Sequence, residues 1–161
     1  MNIHSELGRN GNMMKCLAGL AITVLLYPLQ LNAAEVSWQK DIKPVFGRQC
    51  AGCHGKDSPE YGEYKKDKLA WKNKGIGMRM DTHSSLIAFV GWPDAGALMR
   101  RLDDGSSKTD KKAGNMYMYL GTDEAERTTN LNIFKAWVGS WNLKRWNEIT
   151  KEELDAIKAK Y

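Results

Sequence analysis

The chain has 161 residues, 24 basic against 19 acidic side chains, a net charge of +5 and three cysteines. That length makes one domain with a real core. The small positive excess argues against nucleic acid as a partner, and three cysteines are too few for a disulfide framework.

The first 34 residues read as an export signal. Met13-Met14-Lys15 leads into the apolar run from Cys16 to Tyr27, which ends at Pro28 and the small residues Ala33-Ala34. A basic start, a short apolar stretch and a small-residue exit fit cleavage after Ala34 and a periplasmic or otherwise exported protein. The run is short of the roughly 20 apolar residues that a membrane-spanning helix needs; an uncleaved anchor is the alternative. Cys16 has no lipobox-like residues before it. Initiation at Met13 or Met14 suits the pattern better than Met1.

Residues 36–49 place Trp38, Ile42, Val45 and Phe46 at helical spacing, with Pro44 predicting a short or kinked helix. That helix runs directly into Cys50-Ala51-Gly52-Cys53-His54. C-x-x-C-H is the attachment pattern of c-type haem. Two residues between the thiols let one turn present both sulfurs to one porphyrin edge. The histidine that follows is carried beneath the ring, where a neutral imidazole nitrogen can bind iron. Competing uses lack their other parts: zinc needs two more ligands, and only His83 remains outside residues 1–34. A redox C-x-x-C belongs beside alternating strands and helices, which this chain does not show.

Beyond the motif, residues 55–75 are polar and lysine-rich and read as a long loop. Thr82 to Ser85 offer caps for a brief helix over Leu86–Val90, broken by Gly91-Trp92-Pro93. Asp94 is placed to cap a second short helix with Ala97, Leu98 and Leu102, and residues 103–115 form a charged loop. Asp123 with Glu126 resembles a capping box. It opens a helix whose stripe is Leu131, Phe134, Trp137 and Val138, closed by Gly139. Thr150 with Glu153 opens a last helix, predicted to run to Lys160 with Leu154 and Ile157 inward. The expected fold is all-α, with long loops around one haem.

This order of motifs resembles a class I monohaem c-type cytochrome. More narrowly, it is similar to planctomycete-type cytochrome c domains in Asp41-Ile42-Lys43-Pro44-Val45-Phe46, in Gly77-Met78-Arg79-Met80-Asp81, in Gly91 to Leu98, and loosely in Trp137-Val138-Gly139. The resemblance implies one haem with a methionine as sixth ligand. The family's Met-Pro-Pro is missing; Gly114-Asn115-Met116-Tyr117-Met118-Tyr119 stands in its place. Met116 follows a Gly-Asn turn, much as the ligand methionine follows Gly-Thr-Lys in many class I cytochromes, and Met118 is the alternative. If the stretch is extended, the two sulfurs face opposite sides and only one reaches iron. Met78, Met80 and Met99 read as packing. His83, at a capped helix start, reads as a partly exposed polar residue, with bis-histidine ligation as its other use. Tyr117, Tyr119, Trp137 and Trp141 would wall the haem from water. Arg79 or Trp92 could meet a propionate, although a surface salt bridge is the simpler use of Arg79.

The expected function is a single-electron carrier, with no catalytic residues. The alternative is a haem domain with a weak or open sixth position that binds a gas, senses, or serves an oxidoreductase complex. Lys65, Lys66, Lys68, Lys72 and Lys74 cluster after the motif. They are either a solvated loop or a steering patch for an acidic redox partner. The helix predicted over residues 150–160 lies beyond the usual end of such domains and either completes the fold or docks a partner.

Overall fold

Ser37 starts the first helix: its hydroxyl accepts from Lys40 N at 3.3 Å and its own N–H donates to Asp41 Oδ2 at 2.8 Å. In the computed structural model, which describes residues 35–161, the chain then winds as a wide π turn over Trp38–Ile42 and tightens into α1, Lys43–Gln49. The predicted export segment lies outside the described residues. Pro44 does not break this helix. It falls in the first turn of α1, where a missing N–H costs nothing, and a wider turn precedes it.

The motif forms a short turn of helix, α2 (Ala51–His54). Residues 55–75, read as a loop, instead hold α3 (Tyr61–Lys66) and α4 (Lys68–Asn73). The pattern hid them because they have no apolar stripe: Tyr64 is the one buried side chain of α3, and α4 has none. Local bonds start α4, with Asp67 Oδ1 accepting from Ala70 N at 3.1 Å.

The capping box of Thr82 and Ser85 opens α5, His83–Ile87. Helix α6, Ala97–Leu102, starts after Gly96 rather than from an Asp94 cap. Gly96 has φ +70°, and a Cβ there would lie 2.3 Å from Lys144 O. Asp94 pairs instead with Arg100 Nη2 at 3.0 Å. A 3₁₀ turn over Tyr117–Leu120 leads to the longest helix, α7, Glu124–Val138. Asp123 caps α7, with Glu126 N donating to its Oδ1 at 2.8 Å, but the reciprocal half of the box is absent. Glu126 turns to Thr122 N, 2.8 Å, and accepts from Gln49 Nε2, 2.9 Å, at the end of α1. One carboxylate thus joins the start of α7 to the residue before Cys50.

The core lies between the π turn with α1 on one side and α7 on the other. Trp38, Ile42, Val45 and Phe46 meet Leu131, Phe134, Trp137 and Val138, and Leu86, Val90, Met99 and Leu120 close it. The rings of Trp38 and Trp137 are 6.4 Å apart and tilted. Met99 is fully buried, as a packing residue should be.

The last helix is shorter than expected. The Thr150/Glu153 capping box is present, but α8 covers only Lys151–Asp155. The following residues turn back onto the core and satisfy open helix ends. Lys158 N donates to Val138 O and Ala159 N to Trp137 O, each at 2.8 Å, at the C-terminus of α7. Lys160 O accepts from Trp38 N at 2.8 Å and from Trp137 Nε1 at 2.7 Å. Carbonyls at the end of α7 and an N–H at the start of the first helix otherwise have no partner within their own helices. Residues 156–161 therefore complete the fold.

Candidate haem site

The motif emerges from α1 without a break: Cys50 N donates to Phe46 O at 2.8 Å and His54 N to Cys50 O at 2.9 Å. Cys50 is half-buried against the core, Cys53 is exposed, and both are free thiols. Burial first, and then the neighbouring Cys53, push the Cys50 thiol up to about 12.

A second segment, residues 76–80, runs against the motif. Gly77 N donates to Cys53 O at 2.8 Å and Met80 N to His54 O at 2.9 Å. Between them, the His54 ring nitrogen Nδ1 lies 2.8 Å from Met78 O. A carbonyl only accepts, so Nδ1 carries the proton and Nε2 keeps its lone pair for a metal. This is the outer bond that fixes the tautomer and ring plane of a ligating histidine. Gly77 makes the approach possible: a Cβ there would lie 2.2 Å from His54 Cε1 and 2.5 Å from Nδ1. Neither Gly77 nor the Met78 carbonyl was singled out for this role by the sequence, because a backbone acceptor leaves no pattern in side-chain types.

The methionines separate. The segment predicted as extended is a 3₁₀ turn, whose tight winding still sends residues two apart in different directions. Met116, at the N-cap of that turn, is half-buried and packs on the core, whereas Met118 is 63% exposed. Met78 and Met80 also border the core, on the segment bonded to His54.

His83 is committed elsewhere. Its Nε2 donates to Ala159 O at 2.8 Å, and its ring stands edge-on to Trp38, Trp137 and Tyr161 at 6.1, 6.0 and 5.4 Å. Partly exposed at the capped start of α5, as expected, it also latches the C-terminal tail. Of the expected aromatic wall, Tyr117 and Trp137 are buried and Trp141 is half-buried, but Tyr119 is 64% exposed and faces water. Arg79 makes the simpler bonds, to Asp81 at 2.7 Å and Glu60 at 3.1 Å. Trp92 is exposed and packs edge-on against Trp146 at 4.6 Å.

The donor set thus fits a covalent haem: two thiols with two residues between them, and an imidazole held in the metal-binding tautomer. Among the described residues no group of three or more His, Cys, Asp or Glu side chains is arranged for another metal. The family model for PccH cytochrome c matches residues 37–161. The chain belongs to the PccH cytochrome c family. The solved structure of monoheme cytochrome PccH from Geobacter sulfurreducens is 60% identical, covers 79% of this chain and 99% of its own, and superposes with a TM-score of 0.74. No curated protein matches the chain. As a PccH-family cytochrome, this is a small all-α, cytochrome c-like protein. It carries one covalently attached haem c and functions in electron transport.

Proposed function

We propose that this PccH-family cytochrome is an exported single-electron carrier. In it Cys50 and Cys53 form the thioethers, His54 is the proximal ligand and Met116 the sixth. The observation that carries the ligand assignment is the His54 Nδ1–Met78 O bond of 2.8 Å, which leaves Nε2 as the free nitrogen. Met116 is preferred to Met118 because it is packed on the core while Met118 faces solvent. His83 is the poorer candidate because its ring is packed against Trp38, Trp137 and Tyr161 and tied to the tail through Ala159 O.

When bound, the haem supplies one Fe(III)/Fe(II) couple. The chain's part is to hold that couple rigid. Met78 O orients His54, Gly77 lets the backbone close on the ring, and the core from Trp38 to Trp137 backs the site on the Cys50 side. Burial of this kind raises a haem potential by disfavouring the extra charge of the ferric state. The planctomycete-type likeness remains part of this reading on the motifs at 41–46 and 77–81.

Export to the periplasm rests on residues 13–34. Cell fractionation with haem staining tests it, and a cytoplasmic haem protein of full length would overturn it. The partner in this reading is an acidic redox protein met by α3 and α4. Lys65, Lys66, Lys68, Lys72 and Lys74 are all exposed there, beside Leu69, itself 69% exposed. Such steering weakens with salt.

The deciding experiment for ligation is the near-infrared charge-transfer spectrum of the ferric holoprotein. An iron–methionine band that Met116→Ala abolishes and Met118→Ala preserves supports the assignment. A high-spin spectrum without the band would move the protein to the weak or open sixth position.

A further inference from the structure

Segment 114–116 is strapped to the end of α6. Gly114 N donates to Asp103 O at 2.7 Å, Met116 N to Arg101 O at 2.9 Å, and Arg101 Nη1 to Asn115 Oδ1 at 2.8 Å. The contact leaves no room for a side chain at Gly114, where a Cβ would lie 2.3 Å from Arg101 O and 2.5 Å from Arg100 O.

The anchor of this strap is a buried carboxylate. Asp103 is 1% exposed. Its Oδ1 accepts from Gly105 N at 2.8 Å and its Oδ2 from Trp141 Nε1 at 3.2 Å, while its backbone carbonyl holds Gly114. One residue therefore ties three segments together: the C-terminus of α6, the strap, and the stretch that follows α7. A carboxylate accepts both donors without having to turn a donor of its own toward either; an amide cannot. Bonds to a buried charge also resist opening more than neutral ones do.

We propose that Asp103 is a positioning residue for the Met116 thioether. With Gly114 and Trp141, it holds the methionine segment closed so that the sulfur is not exchanged for an outside ligand. This rests on the reading of Met116 as the sixth ligand. The Asp103 and Trp141 side chains bond each other and Gly105 rather than Met116, and the strap reaches the methionine through its backbone N–H.

Imidazole is the probe. It is titrated into the full-length ferric holoprotein, and its binding is read by loss of the iron–methionine band. Asp103→Asn and Gly114→Ala each tighten imidazole binding about tenfold, the scale of one hydrogen bond to a charged group. Trp141→Phe, which removes one donor, tightens it less and keeps the test open if Gly114→Ala does not fold. Val138→Ala, in the core at the end of α7, lowers the melting temperature without changing imidazole affinity. The proposal is overturned if the Asp103 and Trp141 variants bind imidazole as weakly as the parent. It is equally overturned if Val138→Ala tightens binding as much as they do. A parent band that survives Met116→Ala overturns the ligand reading itself, an outcome separate from failure of the strap.

Discussion

The two sides of the site are built in different ways. The His54 side is nearly contiguous in sequence: the motif follows α1, and a segment some twenty residues later lies against it through three hydrogen bonds. The segment of Met116, the proposed sixth ligand, depends on partners spread across the chain, with Arg101, Asp103 and Trp141 fixing a stretch that has no regular structure of its own until Tyr117. Side chains that must bond covalently demand a fixed local spacing. A sulfur that only has to reach a point in space can be held by any backbone that ends nearby. The first arrangement leaves a motif and the second leaves almost none.

The largest expected effect breaks the first side outright. The double variant Cys50→Ala/Cys53→Ala should retain no haem on a denaturing gel stained for peroxidase activity; a stained band would remove these thiols from the attachment role.

Next in its effect on the haem, Gly77→Ala pushes a methyl into the His54 ring. Overpacking of this kind costs about 1–3 kcal/mol. The variant should lose haem occupancy and shift the ferric spectrum toward high spin. A parent-like spectrum and melting temperature would mean that the two segments are not closed on each other as described.

Trp137→Ala sharpens the contrast from outside the site. Trp137 is fully buried, and its indole N–H donates to Lys160 O. Its removal should cost about 3–5 kcal/mol in denaturant unfolding of the holoprotein. The iron–methionine band of the folded fraction should remain, because the residue serves the core and tail rather than either ligand segment.

The smallest effect is electrostatic and falls on the Met116 side and on α8. The Ser106 hydroxyl, with help from Lys135, holds the Asp104 carboxyl below its usual range. The Tyr117 hydroxyl and Arg127 do the same for Glu124, and Lys144 does so for Glu153. A depressed folded-state value means the contribution is present above the unfolded carboxylate range of about 4 and is lost as pH falls through the folded values. Melting temperature should therefore decline modestly below about pH 4. Asp104→Asn should flatten part of that decline; an unchanged pH profile would sink the assignment.

Much of the fold was legible because it is written in local chemistry. The stripe of α7, the cap at Thr82, the box at Thr150, the helix into the motif and the packing role of Met99 all repeat or cap within a few residues. Helices α3 and α4 were not legible, since a helix that buries almost nothing carries no apolar period. The end of α8 was missed for a related reason. Leu154 and Ile157 keep helical spacing, yet the open carbonyls of Val138 and Trp137 draw the chain away from the helix. His83 could be named from the sequence, but its use could not. A histidine at a helix start looks the same whether its far nitrogen meets water or Ala159 O.

By itself, then, the amino-acid order carried the cofactor class, an all-helical core, and the C-x-x-C-H motif on which the proposed roles of Cys50, Cys53 and His54 rest. Each of these depends on side-chain type at short spacing. Tertiary structure decided the tautomer of His54, the burial of Met116 against the exposure of Met118, and the path of the tail. Those depend on which backbone carbonyls and donors, distant in sequence, are left unsatisfied beside one another, and backbone groups are the same in every residue.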